Sequence, residues 1–506
     1  MIDTMRETPD VSDLVATFDA GTTAIKGAMV DRNGRVIASA SGELDLIIDG
    51  DRREQDPDQW WRVFREVSRE LIGLAESSEA SVAGRIRGVI MSGQMQDLIA
   101  LDDVLHPVRN AILYSDGRAD AEAEELARSY GGTQRFFSTV GNRLEGCLPL
   151  PKLMWMRDRE PDAFNRTRHV LISSKDFLNT RLTGVCAGDV AACSTAGAMD
   201  IRTGQWDAEL IRAAGFEAGC DVRFDDGENA LLPVLRNPQD RIGTVTPEAA
   251  KLTGLPAGTP VFAGIGDAGA TTFASGVTRP GQYNINLGTS GWIATVSPEP
   301  FTSGPGAANL RFGVADGFVN AVPFLNAGDV HRWAVSTFAG GDYAAAHGML
   351  ERSAPGAHGV LCLPYLVGER FPVMNPAIRG AYAGLSPDTT PADLVRAALE
   401  GVALSIRQGM ASFTTAPESI SLIGGGAREA VWCRILADAL NHPVRVFDHA
   451  DILPAVALAS LVFADPALVE SAATGRTYRP DPAAARIYDG LYDRFLTLYP
   501  ALNAIG

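Results

Sequence analysis

The sequence predicts an α/β protein built from two domains, with room for a ligand-binding cleft between them. Its length of 506 residues exceeds what one hydrophobic core usually serves, so two sizeable domains are expected. Apolar residues make up 46% of the chain and charged residues 21%, which is ordinary for a folded globular protein. Segments with strand and helix patterns alternate along the chain, and one strand-turn-strand pattern occurs twice.

The first domain is predicted over residues 13–262 and opens with an antiparallel meander. In LVATFDAGTTAIKGAMVDRNGRVIASASGEL, apolar β-favouring runs flank a tight loop and an Asn-Gly turn, which is typical of three consecutive strands. In DPDQWWRVFREVSRELIGLAES, Asp-Pro marks a helix start and apolar residues follow at helical spacing. The next segment, IRGVIMSG, is predicted to be a strand.

The second domain is predicted over residues 263–480, and its first part resembles the start of the first. Both VFAGIGDAGATTFASGV and GQYNINLGTSGWIATV suggest an apolar strand, a Gly/Thr turn and a second strand. The short likeness between DAGTT at 19–23 and LGTSG at 287–291 is what duplication of a nucleotide-binding domain would leave. Helical patterns follow at 391–414 and 428–440. Residues 481–506 form a predicted terminal helix that the sequence assigns to neither domain.

Charge and composition exclude several classes of partner. The formal net charge is −17, and no stretch of the chain clusters Lys and Arg, so no nucleic-acid partner is expected. The longest apolar run, at 453–464, is shorter than the roughly 20 residues of a membrane helix. The start MIDTMRETPD lacks the basic and then apolar pattern of a secretory signal, and six cysteines without a CxxC pair predict reduced thiols. A cytoplasmic protein without a membrane partner is expected.

The first candidate ligand loop is DAGTTAIKG, where an acidic residue ends a strand and a tight turn follows. Gly21 lets the main chain approach an anion, Thr22 and Thr23 add donors, and Lys26 adds a cation in a chain that contains few lysines. Such a loop can hold phosphates. On local grounds alone, an ordinary β-turn explains the segment equally well.

Two further loops strengthen the interpretation of the first as a ligand loop. LGTSGW places a second Gly-Thr-Ser turn between strands, and SLIGGGAREAVW places three glycines between a strand and a predicted helix. The glycines permit close backbone approach to a nucleotide, and a helix N-terminus favours negative charge. A strand-to-helix turn without a ligand explains the glycine triplet alone equally well.

Asp267 is the candidate catalytic carboxylate, because it sits among small residues directly after a predicted strand in VFAGIGDAGA. The glycines around it also satisfy GxGxxG, the pattern of dinucleotide-binding loops. That alternative lacks its partner, since no acidic residue occurs between Asp267 and Glu299 to hold a ribose. The P-loop pattern GxxxxGK[ST], the HExxH motif and the GxSxG elbow are also absent from the sequence.

Taken together, these segments resemble the FGGY family of carbohydrate kinases, and within it the xylulokinase branch most closely. The resemblance runs nearly end to end and implies two actin-like, ribonuclease-H-like domains with a nucleotide and sugar cleft between them. The segments that carry it are DAGTTAIKG (19–27), EQDPDQWW (54–61), SGQM (92–95), SDGR (115–118), PKLMW (151–155), GDAGA (266–270), LGTSG (287–291), LPYLVGER (363–370), GLSPDTTPADLVRAALEG (384–401) and IGGGA (423–427).

The resemblance implies an ATP- and Mg²⁺-dependent kinase that phosphorylates a hydroxyl of a ketose, expected to be xylulose or a related ketopentose. It implies that Asp267 is the catalytic base and that Asp19 holds the metal. The expected partners are ATP and a small sugar or polyol, with a homodimer as the assembly considered. The ATP-binding residues it implies are Gly21, Thr22, Thr23, Lys26, Gly288, Thr289, Ser290, Gly424, Gly425, Gly426 and Ala427; the substrate-binding residues are Met95, Gln96, Asp116 and Asp267.

Two departures from the xylulokinase pattern leave the sugar open. Members of that branch usually have His after SGQM and Asn after the catalytic Asp, whereas this chain has Gln96 and Ala268. Losing a hydrogen-bonding Asn changes substrate preference when a substrate hydroxyl is left unpaired. The alternatives are therefore a kinase for ribulose, arabinitol or a glycerol-like polyol, or a non-catalytic relative that senses a sugar or nucleotide.

Overall fold

The computed structural model describes residues 13–79, 81–216, 230–302 and 306–504. The chain divides into two compact units. The first unit contains the described residues up to Ala274 together with Asn309–Phe318 and Asp451–Ala472; the second contains Ser275–Ala308, Val319–Ala450 and the residues from Ala473 onward. The sequence-based domain boundary at residue 263 stays a prediction, and the terminal helix lies in the second unit.

The strands, in chain order, are β1 (Leu14–Ala20), β2 (Ala24–Asp31), β3 (Val36–Glu43), β4 (Ile47–Asp49), β5 (Arg52–Gln55), β6 (Ile86–Gly93), β7 (Ile99–Leu101), β8 (Ala111–Ile112), β9 (His169–Leu171), β10 (Ala187–Asp189), β11 (Met199–Asp200), β12 (Gln205–Trp206), β13 (Val234–Arg236), β14 (Arg241–Thr244), β15 (Pro260–Phe262), β16 (Ile265–Gly266), β17 (Gln282–Leu287), β18 (Gly291–Ser297), β19 (Ala308–Arg311), β20 (Phe318–Phe324), β21 (Leu361–Leu363), β22 (Ala381–Ala383), β23 (Ser419–Ile423), β24 (Val444–Phe447) and β25 (Gly475–Tyr478).

The α-helices are α1 (Pro57–Ser78), α2 (Asp120–Tyr130), α3 (Thr133–Val140), α4 (Pro149–Arg159), α5 (Pro161–Arg166), α6 (Ser174–Thr183), α7 (Val190–Cys193), α8 (Ala208–Ala213), α9 (Pro247–Thr253), α10 (Asp267–Ala274), α11 (Gly328–Phe338), α12 (Tyr343–Arg352), α13 (Pro391–Met410), α14 (Ala430–Leu440), α15 (Leu453–Phe463), α16 (Ala467–Ala472) and α17 (Pro482–Asn503). Short 3₁₀ helices span Ala83–Arg85, Ala357–Gly359 and Gly425–Arg428.

The central sheet of the first unit has the strand order β14-β15-β6-β1-β2-β3. Strand β1 runs antiparallel to β2 and parallel to β6, and β15 also runs parallel to β6. The short β16 adds a second parallel partner at the end of β6. The predicted meander is therefore confirmed, with β2 and β3 joined through Asn33 and Gly34, where Gly34 takes a φ of 77° that glycine adopts without strain.

Helix α1 shows how the local sequence builds the layer that covers this sheet. The carboxylate of Asp56 accepts a hydrogen bond from the Asp58 N–H at 2.9 Å, and Pro57 occupies the first turn, where its missing N–H costs nothing. Its apolar face, which includes Trp60 and Phe64, is buried and packs over β2 and β3. The helix predicted from DPDQWW is therefore confirmed.

The second unit repeats the topology of the first. Its main sheet, leaving aside the edge strand β19, has the strand order β20-β18-β17-β23-β24-β25. Strand β17 runs antiparallel to β18 and parallel to β23, β24 runs parallel to β23, and β25 closes the edge antiparallel to β24. Read from the opposite end, the first sheet is β3-β2-β1-β6-β15-β14, with β14 antiparallel to β15. Two copies of one ribonuclease-H-like α/β topology confirm the predicted fold class.

One prediction about the start of the predicted second domain is wrong, and the segment concerned lies in the first unit. The segment after Gly266 was predicted to turn into a strand, but residues Asp267–Ala274 form helix α10. Its buried residues are mostly small, which lets the helix pack closely against β6 and α15. A short apolar run fits a buried strand or a buried helix equally well by periodicity, which explains the error.

Two sequence predictions concern features outside the site. Among the described residues, no helix is long and apolar enough to cross a bilayer. The apolar run at 453–464 is α15, which packs against α10, α16 and the sheet of the first unit. Free thiols are present at Cys147, Cys186, Cys193, Cys362 and Cys433, as predicted, and Cys220 lies outside the described residues.

Candidate active site

Three strand ends meet at one edge of the first sheet. In register, Ala20 of β1 lies beside Gly93 of β6, and Gly266 of β16 lies on the other side of the same glycine. Both pairings are parallel, so the residues that follow all three strands emerge at the same edge. The structure therefore brings together Asp19, the loop after it, the SGQM segment and Asp267.

Asp19 is half-buried and lies near the end of β1. The hydroxyl of Ser92 on the neighbouring strand donates a hydrogen bond to its Oδ1 at 2.8 Å. Within the described residues no hydrogen bond reaches the other carboxylate oxygen, which leaves it available to a ligand. Lys26 lies opposite Asp19 in the antiparallel register and is exposed, so a cation and a carboxylate share one face of the hairpin.

A chain of buried amides holds the loop that follows Asp19. The Thr22 hydroxyl donates to Gln94 Oε1 at 2.8 Å, and Gln94 Nε2 donates to Gln55 Oε1 at 2.8 Å. Gln55 Nε2 then returns to the Thr22 carbonyl oxygen at 2.7 Å. The Gly21 N–H donates to the Ala24 carbonyl oxygen at 3.1 Å and closes the turn. The loop is therefore a fixed structure before any ligand binds.

This network limits which groups of the first unit can make the predicted contacts with ATP. The Thr22 hydroxyl gives its proton to Gln94, so toward a ligand it can act only as an acceptor in this arrangement. Thr23 is exposed and carries the remaining hydroxyl of the turn. Gln55 and Gln94 were not predicted as functional residues, although they lie in the segments EQDPDQWW and SGQM that carry the family resemblance.

Asp267 is the first residue of α10, and its side chain reaches solvent. Its Oδ1 accepts the N–H of Ala268 at 2.7 Å. Protein atoms around the carboxylate displace much of its hydration and raise the pKa of Asp267 to about 7; the negative charge of Asp19 adds to the rise, and the Ala268 N–H opposes it. A carboxylate with this pKa can accept and release a proton near neutral pH.

The glycines around Asp267 serve packing, which removes the dinucleotide interpretation of GxGxxG. A Cβ at Gly264 would lie 1.9 Å from the Met91 carbonyl oxygen, and Gly264 has a φ of 72°. A Cβ at Gly266 would lie 2.5 Å from the sulfur of Met95, and one at Gly269 would lie 2.6 Å from the Ile265 side chain. The obstacle at Gly264 is backbone, so only glycine fits there, whereas a Cβ at Gly266 or Gly269 would force the Met95 or Ile265 side chain to move.

Two of the predicted sugar-binding residues, Met95 and Gln96, follow β6. Met95 packs its sulfur toward Gly266, one residue before the base. Gln96 adopts a left-handed φ of 69°, which is uncommon for a residue other than glycine and frequent at ligand sites. Its Nε2 lies 3.1 Å from the sulfur of Cys147, and both residues are only partly buried. Contact of either residue with a sugar stays a prediction.

Two fully buried charged residues that the sequence did not reveal, Lys152 and Asp97, lie next to Gln96. Lys152 is fully buried, and its Nζ donates to the carbonyl oxygens of Leu113 at 2.7 Å and of Gln96 at 3.2 Å. Asp97 is also fully buried and accepts the N–H of Tyr114 at 3.0 Å. Burial raises the pKa of Asp97, and the charge of Lys152 opposes that rise. The signal available in the sequence was Lys152 within PKLMW.

Asp116, the third predicted sugar residue, is already saturated with hydrogen bonds. Its Oδ1 accepts from the N–H and the Nε of Arg118, and its Oδ2 accepts from Arg118 Nη2 and the Arg53 N–H, at 2.6 to 3.0 Å. Burial alone would raise the pKa of Asp116, but these donors outweigh it and hold the pKa below its usual range. The carboxylate therefore organises the SDGR loop, and a direct sugar contact stays a prediction.

The two glycine loops of the second unit also share one sheet edge. Asn286 of β17 pairs in parallel with Ile423 of β23, so the turn at Gly288–Ser290 and the segment Gly424–Ala427 emerge side by side. Gly424 has a φ of 90°, and a Cβ there would lie 2.6 Å from the Leu287 carbonyl oxygen. The loops are therefore in direct contact.

Exposure distinguishes the members of these loops. Thr289 and Ser290 are exposed, and the carbonyl oxygens of Gly288 and Thr289 accept the N–H groups that begin α11, at 2.8 and 3.1 Å. Gly425 is exposed with open space where a side chain would lie, whereas a Cβ at Gly426 would meet Leu287. Ala427 closes the segment through its N–H, which donates to the Gly424 carbonyl oxygen at 3.1 Å.

The residues present fit a magnesium ion that is bound mainly by a nucleotide. The described residues contain no cluster of three or more His, Cys, Asp or Glu side chains able to hold a metal by themselves. Mg²⁺ commonly binds through one or two carboxylates together with substrate phosphates and water. The carboxylate oxygen of Asp19 that accepts no hydrogen bond would be one such ligand.

Comparison with known proteins agrees with this geometry. The models of the FGGY family of carbohydrate kinases match in order, the N-terminal domain over residues 14–274 and the C-terminal domain over residues 283–461. A xylulose kinase of Staphylococcus epidermidis is 31% identical over 448 residues, which cover 87% of this chain and 86% of that protein. A xylulose kinase of Escherichia coli K12 is 29% identical over 504 residues, which cover 96% and 98%.

A solved structure is similar over the same extent. The crystal structure of xylulose kinase from Rhodospirillum rubrum superposes with a TM-score of 0.86 at 31% sequence identity, covering 97% of this chain and 99% of that one. Both family domains, their order and nearly the whole length of the chain are thus matched. The chain belongs to the FGGY family of carbohydrate kinases.

Proposed function

We propose that this kinase transfers the γ-phosphoryl group of ATP to a hydroxyl of xylulose or a related ketopentose, with Asp267 as the base. The observation that carries the proposal is the placement of Asp19 near the end of β1 and of Asp267 directly after β16, because β1 and β16 flank β6 at one sheet edge. One carboxylate has a free oxygen for a metal, and the other has a pKa near 7. These are the two acidic functions that phosphoryl transfer to an alcohol requires.

The proposed step moves one proton and one phosphoryl group. The ionised carboxylate of Asp267 accepts the proton of the sugar hydroxyl as that oxygen forms its bond to the γ-phosphorus. The bond between the γ-phosphorus and the bridging oxygen breaks, and ADP leaves with the electron pair. A base with a pKa near 7 is well matched to this transfer at neutral pH, because it is substantially ionised and still binds a proton.

The remaining roles follow from exposed groups. Asp19 would bind the magnesium ion of the nucleotide, which supplies charge neutralisation at the phosphates. Lys26 and the N–H groups of the turn that starts at Gly21 would meet the phosphate tail. The exposed hydroxyls of Thr289 and Ser290 and the open face at Gly425 would meet the nucleotide.

The names of the relatives support xylulose as the first substrate to test. The aligned proteins of Staphylococcus epidermidis and Escherichia coli K12 are xylulose kinases, as is the matched protein of Rhodospirillum rubrum. Gln96 and Ala268 are the residues beside the site where this chain departs from that pattern. A kinase for another ketose or a polyol is therefore the second candidate. The presence of both Asp19 and Asp267 argues against a non-catalytic sensor.

A substrate panel tests the proposal directly. Purified protein is supplied with ATP, Mg²⁺ and either xylulose, ribulose, arabinitol or glycerol, and both ADP and the sugar phosphate are quantified. Xylulose should give the highest kcat/KM, with ADP and sugar phosphate formed in equal amounts. A higher value for another member of the panel selects the second candidate. ADP formed without any sugar phosphate, or no ADP at all, contradicts the kinase activity. The Asp267→Asn variant serves as the control for contaminating kinases.

The proposal also includes a cytoplasmic location and a homodimeric assembly. ATP, the phosphoryl donor, is available in the cytoplasm. Size-exclusion chromatography with light scattering should give a mass near twice 53.7 kDa for the dimer, and a mass near 53.7 kDa would contradict it.

A further inference from the structure

A fully buried ion cluster lies below the strand ends of the first unit. Lys175, Asp176 and Asp189 have no exposed surface. Lys175 Nζ pairs with Asp189 Oδ2 at 2.7 Å and also with the carboxylate of Asp176. Buried charges destabilise a protein unless they are paired and hydrogen-bonded, and here Lys175 pairs with both carboxylates.

Asp189 connects this cluster to the segment that carries the base. Its Oδ1 accepts the N–H groups of Ala191 at 2.9 Å and Ala192 at 3.0 Å, which cap helix α7. The same oxygen lies 3.4 Å from the N–H of Gly266, the residue before Asp267. One oxygen of Asp189 therefore pairs with Lys175, and the other lies next to the peptide that precedes Asp267.

Ser173 and Ser174, next to Lys175, form hydrogen bonds with the residues at the ends of β6 and β1. The Ser173 hydroxyl donates to the Gln94 carbonyl oxygen and the Ser174 hydroxyl donates to the Ala20 carbonyl oxygen, both at 2.6 Å. A Cβ at Gly93 would lie 2.7 Å from the Ser174 oxygen, so the packing is close. The start of α6 thus contacts the ends of β1 and β6 directly and reaches β16 through Lys175 and Asp189.

We propose that Asp189 is a positioning residue for phosphoryl transfer: it holds the Gly266 peptide that carries Asp267, and it places a buried negative charge behind the base. The proposal rests on the proposed function of Asp267. It predicts that removing the Asp189 charge changes how tightly Asp267 holds its proton, which a purely structural residue would not do.

The charged surroundings of Asp267 support this role. Loss of hydration contributes most to the raised pKa of Asp267, followed by the negative charge of Asp19, and the charge of Asp189 adds to both. Asp97, beyond the end of β6, is a further carboxylate that interacts with Asp267. On α7, Cys193 stays neutral because burial raises the pKa of its thiol. Helix α15, which packs on α10, carries no titratable residue between its bounds.

The cluster provides a matched pair of variants. Asp189→Asn and Asp176→Asn each remove one carboxylate and leave Lys175 paired with the other. Both changes keep side-chain size. Only Asp189→Asn removes the charge that faces Gly266, so Asp176→Asn controls for any general effect of disturbing the buried cluster.

The test is the pH dependence of kcat/KM for the sugar in both variants. For Asp189→Asn, the acid limb should move to lower pH by about half a unit, because a like charge beside the base is lost. For Asp176→Asn, the limb should stay where it is in the wild-type enzyme. Equal limbs in the two folded variants, or an unmoved limb in Asp189→Asn, would overturn the proposal.

Two additions keep the outcome clear. If Asp189→Asn fails to fold, Asp189→Ser removes the same charge, keeps a hydroxyl that can accept the α7 N–H groups and leaves Lys175 paired with Asp176, and it should show the same downward movement of the limb. An unmoved limb there counts equally against the role of Asp189. Turnover in Asp267→Asn is measured in parallel: wild-type turnover in that variant contradicts the base itself, whereas its loss together with unmoved limbs contradicts only the positioning role.

Discussion

The amide of Gln55 donates a hydrogen bond to the carbonyl oxygen of Thr22 at 2.7 Å, joining the start of the first helical segment to the proposed phosphate loop. Gln55 also accepts hydrogen bonds from Gln94 Nε2 at 2.8 Å and from the Trp60 indole N–H at 3.2 Å. The amide of Gln55 also donates to the Asp45 carbonyl oxygen at 3.0 Å, so one fully buried side chain satisfies four groups.

Gln55→Leu should loosen this loop and destabilise the first unit. The variant leaves the donors of Gln94 and Trp60 and the carbonyl of Thr22 without their partner, at about 1–3 kcal/mol for each buried group left unsatisfied. We expect a lower free energy of unfolding in urea and a several-fold higher KM for ATP. The exposed neighbour Asp51 provides a control, since Asp51→Asn should change neither value. An unchanged KM for ATP in Gln55→Leu would separate the loop from nucleotide binding.

Asp267→Asn should abolish turnover without weakening the fold. Loss of a general base typically costs a factor of about 10²–10⁴ in rate. The folded-state pKa of Asp267 is raised to about 7, so ionising this carboxylate destabilises the native protein increasingly as pH rises from the ordinary aspartate pKa of 3.8 through 7. The amide avoids that cost, and thermal unfolding at pH 8 should occur at the same or a higher temperature than in wild type. Unfolding at a lower temperature would show that the carboxylate stabilises the fold.

The pH dependence of the wild-type enzyme should report this group. The base must be ionised, so kcat/KM for the sugar should fall tenfold per pH unit below an apparent pKa of about 7. ATP binding by titration calorimetry across the same range provides the control, because it should not follow that limb. A limb centred near 4 would indicate a carboxylate with its ordinary proton affinity.

Neighbouring glycines in the second unit give opposite expectations. Gly424→Ala places a Cβ 2.6 Å from a carbonyl oxygen at a φ of 90°, so we expect a loss of stability of about 1–3 kcal/mol. Gly425→Ala meets no atom within 4 Å, and its stability should match wild type. If Gly425 faces the nucleotide, its variant should raise the KM for ATP in an otherwise intact enzyme. An unchanged KM there would remove Gly425 from the proposed contacts.

Removing the buried charge of Lys152 should affect both folding and the sugar. Lys152→Met leaves the Leu113 and Gln96 carbonyl oxygens without their donor and removes the positive charge that acts on the buried Asp97; each buried polar group left unsatisfied costs about 1–3 kcal/mol. We expect a lower urea midpoint and a higher KM for the sugar, with the KM for ATP unchanged. The double variant Lys152→Met/Asp97→Leu should recover much of the stability while keeping the sugar defect. Recovery of the KM for the sugar as well would contradict a positioning role of Lys152.

The sequence predicted those parts of the fold and site that depend on neighbouring residues. The meander, helix α1 and the placement of Asp267 after a strand all follow from local patterns of apolar and turn residues. Helix α10 was missed because eight small and apolar residues fit a buried strand as well as a buried helix.

The residues that hold the site in place could not be predicted for a different reason. Gln55, Gln94 and Thr22 lie up to 72 positions apart, and Lys175 meets Asp189 only after β10 has folded beside α6. No local pattern specifies such pairings. Asp116 shows the converse case: the family resemblance implied a sugar contact, whereas in the structure Arg118 already donates hydrogen bonds to both oxygens of its carboxylate.

The repeated topology has a consequence for how the two copies diverged. Asp19 and Asn286 occupy the same place, each two residues before the glycine of its hairpin turn and each on the strand that pairs with both neighbours. Asparagine and aspartate codons differ by a single base, so one substitution separates an acidic copy from a neutral one. An ancestor with two identical halves would have carried the same residue in both. Specialisation of the halves could therefore begin with one point mutation and no change of backbone.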